Sequence, residues 1–530
     1  MCRGGDNLKN PIISIFLWVC LMSPLWADSP PHVKANGEML TGLWEGDDGK
    51  VAAFKGVPFA AAPEGDLRWQ APKAHQPRNG EQLATEFAPG CMQGPHITNW
   101  YAGVAKEFGQ SPDGVGKPNG VSEDCLYVNI WTPDVNPTEK LPVMVWVHGG
   151  SNKGGWSYEP NYVGDRLAAK GVVVVSVAYR LGVFGFFSHA ALDNGPGQAE
   201  ANFGYLDVIS AFQWVREHIA GFGGDPNNIT AIGESSGAGN IADFIVGEIA
   251  EDAIYKRSII QSTGGSIVRF KTLAEDMVNG KKVTDYLGIS EQELNTERLR
   301  EIPAEDLVKA SYEALPGHYF DIVDDGLTFK ERPLEGFGND AVSAVDILIG
   351  HNADEWYMYI DENTSWEDVH DWIKENAPGS TRILASLVAQ EVDPRRAMDR
   401  LRMAKDTMCP SHYMAARISA AGGRGWVYYF SRQRPGPGGE KLGAYHGTEI
   451  GYVFDQHEYW QSTNEVDDRL TDVVMDYWVQ FARTGDPNVN GRPDWPKYTA
   501  ATPNVMELGD HVAAIPSPDA DLCLWLGPGM

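Results

Sequence analysis

Four segments of this chain bring together residue types that can perform nucleophilic acyl transfer. Residues 229–241 read Ile-Thr-Ala-Ile-Gly-Glu-Ser-Ser-Gly-Ala-Gly-Asn-Ile. The apolar Ile229–Ile232 suits a buried strand, Gly233 and Gly237 suit a turn too tight for side chains, and the small residues beyond can open a helix. A serine at such an elbow, here Ser235, has its hydroxyl exposed and a helix N-terminus behind it. The pentapeptide alone is weak, because with 58 glycines in 530 residues chance supplies roughly a few tenths of a Gly-x-Ser-x-Gly match.

A nucleophile needs partners, and the chain offers them where buried strands end. Val147-His148-Gly149-Gly150-Ser151-Asn152 is a glycine turn whose backbone N–H groups can approach a developing oxyanion closely. Gly350-His351-Asn352-Ala353-Asp354-Glu355-Trp356 carries two acids, Asp354 and Glu355, either of which can orient an imidazole; the pattern does not choose between them. Ala444-Tyr445-His446-Gly447 offers His446 as a base that titrates near neutrality, one of 13 histidines. The order serine, acid, histidine along the chain is that of α/β-hydrolases.

Positioning these residues requires a large sheet. Val143–Val147, Val172–Val177, Ile229–Ile232, Ile347–Ile349 and Trp426–Phe430 are apolar almost throughout rather than alternating. Strands covered by helices on both faces read this way, as in a mostly parallel sheet. Helix-like stretches such as Leu206–His218 and Val473–Arg483 lie between them. The pattern predicts an α/β fold, with the charged, helix-prone regions 271–340 and 362–420 as insertions that shape a pocket. No long linker divides the chain, so residues 28–530 read as a single domain. Trp100, Tyr101, Trp156, Tyr158 and Trp356 are candidate pocket aromatics.

Composition narrows the partners. A net charge of −29 argues against nucleic acid, whose phosphates need clustered Lys and Arg. No zinc, P-loop or dinucleotide signature and no repeat is present. Arg3 and Lys9 flank the start, Ile12–Trp26 is mostly apolar, and Ala27 precedes Asp28, which reads as a secretory signal peptide ending at Ala27. The apolar run is shorter than the ~20 residues a membrane span needs and contains Pro24, so no stable membrane anchor is expected. A secreted or periplasmic location follows. Beyond the leader remain Cys91, Cys125, Cys409 and Cys523, an even set that fits two disulfides. Cys91–Cys125 is the local choice, leaving Cys409–Cys523.

Further ordered segments carry a resemblance. Phe54-Lys55-Gly56-Val57-Pro58-Phe59, Leu67-Arg68-Trp69 and Ser122-Glu123-Asp124-Cys125-Leu126-Tyr127-Val128-Asn129-Ile130-Trp131 are followed by Tyr179-Arg180-Leu181-Gly182-Val183-Phe184-Gly185-Phe186 and Phe222-Gly223-Gly224-Asp225-Pro226. Phe481-Ala482-Arg483-Thr484-Gly485-Asp486-Pro487-Asn488 closes the series. Together they resemble the type-B carboxylesterase and cholinesterase family of α/β-hydrolases over nearly the whole mature chain. The resemblance implies ester hydrolysis by a Ser235–His446–Glu355 triad through an acyl-enzyme, with no cofactor and a small-molecule ester as substrate. It implies oxyanion donors at the backbone N–H groups of Gly150, Ser151 and Ser236, and the two cysteine pairings above. Ser151 stands where many members have a third glycine, and Ser236 where many have alanine. Lys153, beside the oxyanion loop, raises the expectation of esters whose acyl part carries a carboxylate, such as fumonisin-type polycarboxylate esters. Amide or thioester hydrolysis on the same triad, or a non-catalytic binding role, are the alternatives.

Overall fold

The run Leu141–Val147 shows why a sheet forms. Val143, Val145 and Val147 pack into one apolar cluster, and Met144 and Trp146 into another. Successive side chains of a strand point to opposite faces, so such a run is stable only where both faces are covered. The computed structural model describes residues 29–246, 254–263, 271–328, 333–338, 342 and 344–527. The leader read at 1–27 lies outside them.

In chain order the main sheet comprises β1 (Leu43–Glu45), β2 (Val51–Pro58), β3 (Tyr127–Thr132), β4 (Leu141–Val147), β5 (Val173–Val177) and β6 (Gly224–Glu234). It continues with β7 (Arg257–Gln261), β8 (Asp346–Asn352), β9 (Arg424–Phe430), β10 (Asn504–Leu508) and β11 (Val512–Pro516). The spatial order is β11-β10-β9-β8-β7-β6-β4-β5-β3-β2-β1. Every pairing from β10 to β5 is parallel, while the outer strands at both ends pair antiparallel.

Helices close both faces. Four of them matter for the site or the core: α1 (His96–Glu107), α2 (Phe203–His218), α3 (Ser235–Ala242) and α4 (Glu465–Thr484). α2 and α3 bury Val208, Phe212, Ala238 and Ile241 on one face. α4 buries Leu470, Val474, Trp478 and Phe481 on the other. The start of α4 is fixed by Asn464 and Asp467, which cap each other's backbone N–H groups, and its end by Gly485 at φ 75°. α2 is anchored by a buried pair in which Arg180 Nε and Nη2 each donate to Asp207 at 2.7 Å.

One central strand, β7, escaped the apolar pattern because Arg257, Ser258 and Gln261 are polar yet buried. Arg257 and Gln261 find partners from elsewhere in the chain, while Ser258 Oγ has none among the described residues. Arg257 Nη1 donates to Asn228 Oδ1 at 2.7 Å, and Gln261 Nε2 to Glu449 Oε1 at 3.1 Å.

The stretch between β8 and β9 forms a satellite core of its own, with Val369, Leu384, Leu401 and Met408 buried together with Leu522 and Leu526 of the C-terminal segment. The Cys409–Cys523 disulfide crosses this cluster, and Cys91–Cys125 lies in the main one. Closing a loop with a sequence separation of 114 restricts the unfolded chain considerably. Replacing Cys409 and Cys523 together by serine is expected to cost about 3–5 kcal/mol of stability, read by denaturant unfolding. An unchanged midpoint would contradict the role given to this bridge.

Candidate active site

Ser235 sits where β6 ends and α3 begins, with φ 53° in the left-handed region. That conformation stores strain of order 1–3 kcal/mol in a non-glycine residue and persists only where the surroundings enforce it. Here they are backbone. A Cβ at Gly237 would stand 2.2 Å from Val147 O and 2.4 Å from His148 O. One at Gly233 would stand 2.8 Å from Gly237 C. Both pentapeptide glycines are therefore required by contact.

The loop after β4 passes on the other side. A Cβ at Gly149 would stand 2.7 Å from Glu234 Oε2 and 2.9 Å from the Cβ of Ser235, so this loop too must be bare where it meets the serine. Gly150, Ser151 and Asn152 follow with φ 103°, 61° and 51°. The loop is pinned from outside: Asn152 N–H donates to Ser236 Oγ at 3.0 Å, Gly182 N–H to Asn152 O at 2.6 Å, and Asn152 Nδ2 to Phe320 O at 2.8 Å. The Gly150 and Ser151 N–H groups have no backbone acceptor among the described residues. Ser236 lies in the first turn of α3, where N–H groups have no intrahelical partner.

The two candidate acids separate. Glu355 Oε2 accepts from His446 Nδ1 at 2.5 Å, while its Oε1 accepts from Asn352 N–H at 2.8 Å. Asp354 turns away: its Oδ2 accepts from Ala444 N–H at 2.8 Å, and its Oδ1 pairs with Arg396. A Cβ at Gly443 would stand 2.1 Å from Asp354 Oδ2. Asn352 Nδ2 adds a bond to Tyr445 O at 2.9 Å. Asp354 thus fastens the histidine loop to the end of β8 while its neighbour faces the imidazole.

Ser235, Ser236, Gly150, Ser151, Glu355 and His446 all line one cavity of about 180 Å³. Trp100, Tyr101 and Trp356 line it too. Trp156 and Tyr158 do not; they are buried in a side cluster with Phe108 and Trp460 because Tyr158 stacks on Phe87 and Trp156 packs against Tyr101. Lys153 is likewise not in the cavity wall. It is buried, 7% exposed, with its ammonium 4.1 Å from the centre of the Tyr312 ring, which stabilises the cation without an acid.

Sequence reasoning missed Glu234, although it lies inside the pentapeptide. Its Oε1 is 3.2 Å from His446 Nε2, so the imidazole is held between two buried carboxylates. Among the described residues, no three His, Cys, Asp or Glu side chains group to hold a metal ion, and no helix is long and apolar enough to cross a membrane.

A sequence model of the carboxylesterase family matches residues 29–521. The chain belongs to the carboxylesterase family. It is 30% identical to a fumonisin B1 esterase of Sphingopyxis macrogoltabida over 505 residues, covering 89% of this chain and 86% of that one. It is equally 30% identical to a para-nitrobenzyl esterase of Bacillus subtilis (strain 168), over 89% of this chain and 94% of the relative. A solved PNB esterase superposes with a TM-score of 0.80 at 27% identity, covering 94% and 99% of the two chains. The architecture is the α/β-hydrolase fold, and the protein is a carboxylic ester hydrolase.

Electrostatics in this carboxylesterase centre on the imidazole. Burial alone would lower the His446 pKa, but Glu234 and Glu355 overcome it and raise it to about 10. Glu234 is itself pushed up to about 8 by burial, with Glu449 and Glu355 adding repulsion that His446 only partly offsets. Glu355 stays below its ordinary value because, against burial, the His446 charge and hydrogen bonds favour its ionised form. The Glu234–His446 pair therefore keeps a proton through neutrality. With His446 as the proposed base, which must be neutral to act, kcat/KM is expected to climb with pH through neutral into the alkaline range. Glu234→Gln removes one of the charges that hold the proton and should move this limb to lower pH. A limb left in place or moved upward in a pH–rate profile would contradict the coupling.

Proposed function

We propose that this esterase works through an acyl-enzyme formed on Ser235. His446 removes the hydroxyl proton as Ser235 Oγ attacks the ester carbonyl, and Glu355 holds the imidazole and favours its charged form. The carbonyl oxygen takes the negative charge and is met by the Gly150, Ser151 and Ser236 N–H groups. Collapse expels the alcohol, which takes its proton from His446. Water then attacks the acyl-enzyme with the same groups acting in reverse, and the acid leaves.

The observation that carries this reading is the 2.5 Å contact between His446 Nδ1 and Glu355, on a cavity wall that Ser235 shares. The left-handed elbow at Ser235 and the acceptor-free N–H groups opposite it support the same assignment. Loss of a single oxyanion donor in such sites costs roughly 100–1000-fold in turnover. Because these donors are backbone groups, the side chains at Ser151 and Ser236 do not remove them.

The two disulfides support an exported protein, secreted or periplasmic, since such bonds persist in oxidising compartments. The expected preference for carboxylate-bearing acyl groups draws no support from Lys153, whose ammonium sits over Tyr312 and off the cavity wall, and the acidic residues lining that wall oppose it.

Ser235→Ala is expected to lower kcat on a p-nitrophenyl ester by at least about 10,000-fold. Its circular dichroism and thermal midpoint should remain those of the folded protein. Near-normal hydrolysis by that variant would overturn the nucleophile assignment.

A further inference from the structure

The cavity wall is acidic. Glu159, Glu234, Asp243, Asp321 and Glu355 line it, and among the described residues no lysine or arginine does. Most of these acids are engaged. Glu234 and Glu355 face His446, and Glu159 accepts from Tyr101 Oη at 2.5 Å and Trp156 N–H at 3.1 Å.

Glu234 Oε1 and Asp243 Oδ1 are both buried without a hydrogen-bond partner among the described residues. Glu234 Oε1 has the His446 imidazole 3.2 Å away, whereas Asp243 is 1% exposed with no such neighbour among the described residues. No cationic side chain among the described residues pairs with it. An unpaired buried carboxylate oxygen is costly, and natural interiors rarely tolerate one without a use. Burial and the nearby charge of Asp321 push its carboxyl well above the ordinary range.

Its position explains the use. Ser236, Gly239, Asn240 and Asp243 recur at i, i+3, i+4 and i+7, the spacing of one helical face, and all four line the cavity. That face runs from the oxyanion donors at Ser236 to Asp243, about 10 Å further along the helix axis. Asn240 does not compensate Asp243, because its Nδ2 is spent on Asn152 Oδ1 at 3.0 Å. Nothing on the stripe supplies the hydrogen that Oδ1 lacks.

We propose that Asp243 is a specificity residue that receives a protonated amine of the ester substrate, carried about 10 Å from the scissile carbonyl on the cavity side of α3. The ammonium donates to Oδ1 and supplies the hydrogen bond that no described side chain gives it. The proposal rests on the ester-hydrolase reading above and names the substrate class for the same site.

The test uses p-nitrophenyl esters of straight-chain acids of matched length ending in an amine, a methyl or a carboxylate. A parallel series of acetate esters places the same three ends on the alcohol chain. In at least one series the wild-type kcat/KM should be about 10- to 100-fold higher for the ammonium than for the methyl end, and lowest for the carboxylate. In Asp243→Asn the ammonium-to-methyl ratio should fall toward one. An unchanged ratio in that variant, no ammonium preference in either series, or a preference for the carboxylate end would overturn the proposal.

If Asp243→Asn does not fold, inhibition of the wild type decides. Alkylammonium ions should compete with the methyl-terminated ester at least about ten-fold more strongly than alkanols of equal length, and equal inhibition would overturn the assignment. Hydrolysis of the methyl-terminated ester, lost in Ser235→Ala, reports separately on the nucleophile. The ester-hydrolase reading can thus stand while the ammonium subsite falls.

Discussion

Two backbone segments at the C-terminal edge of the sheet lie closer together than side chains permit, and the site depends on that contact. The turn at Ser235 presses Gly237 onto the carbonyls of Val147 and His148, and Gly149 onto the Cβ of Ser235. With no Cβ in the way, β4, its glycine loop and the start of α3 share one small volume. The serine is driven to φ 53°, and the N–H groups of Gly150 and Ser151 come to the cavity that Ser235 lines. Strained geometry of this kind needs rigid support, which the doubly covered strands on either side provide.

The second dependence is electrostatic. His446, partly exposed to the cavity, lies between the buried Glu234 and Glu355, with Glu449 close behind, held by Asn352 and Gln261. Crowding several carboxylates into one dry region costs desolvation, and they persist because an imidazolium and fixed amide donors stand among them. Burial pushes Glu449 above its ordinary value, with the Glu355 charge adding to the effect. In the proposed step, the arrangement that raises the imidazole's basicity would also stabilise the charge it takes on from Ser235. A strong base and a strongly held proton are two faces of one environment.

Much of this was readable from residue types. Val143–Val147 had to be buried on both faces because nothing in it is polar, and Gly233 and Gly237 announced a turn without room for side chains. The choice between Asp354 and Glu355 was not readable from spacing, since both follow the same strand. It depends on which way each side chain turns, and Asp354 is committed to Ala444 and Arg396. β7 hid behind polar residues that are satisfied only by distant partners such as Ala482 and Glu449. Lys153 stands beside the glycine loop in sequence, yet its ammonium lies over Tyr312 and off the cavity wall, a placement that spacing along the chain does not reveal. Asp243 carried a usable signal: it follows Ser236 at helical spacing, an acid on an otherwise small-residue face.

Ser235 Oγ is the proposed nucleophile that becomes acylated. The most direct measurement of that role is active-site labelling with a fluorophosphonate, followed by intact mass and peptide mapping. One adduct per chain is expected on Ser235, formed faster as pH rises through neutrality and absent in Ser235→Ala. Labelling at another residue, or undiminished labelling of that variant, would contradict it.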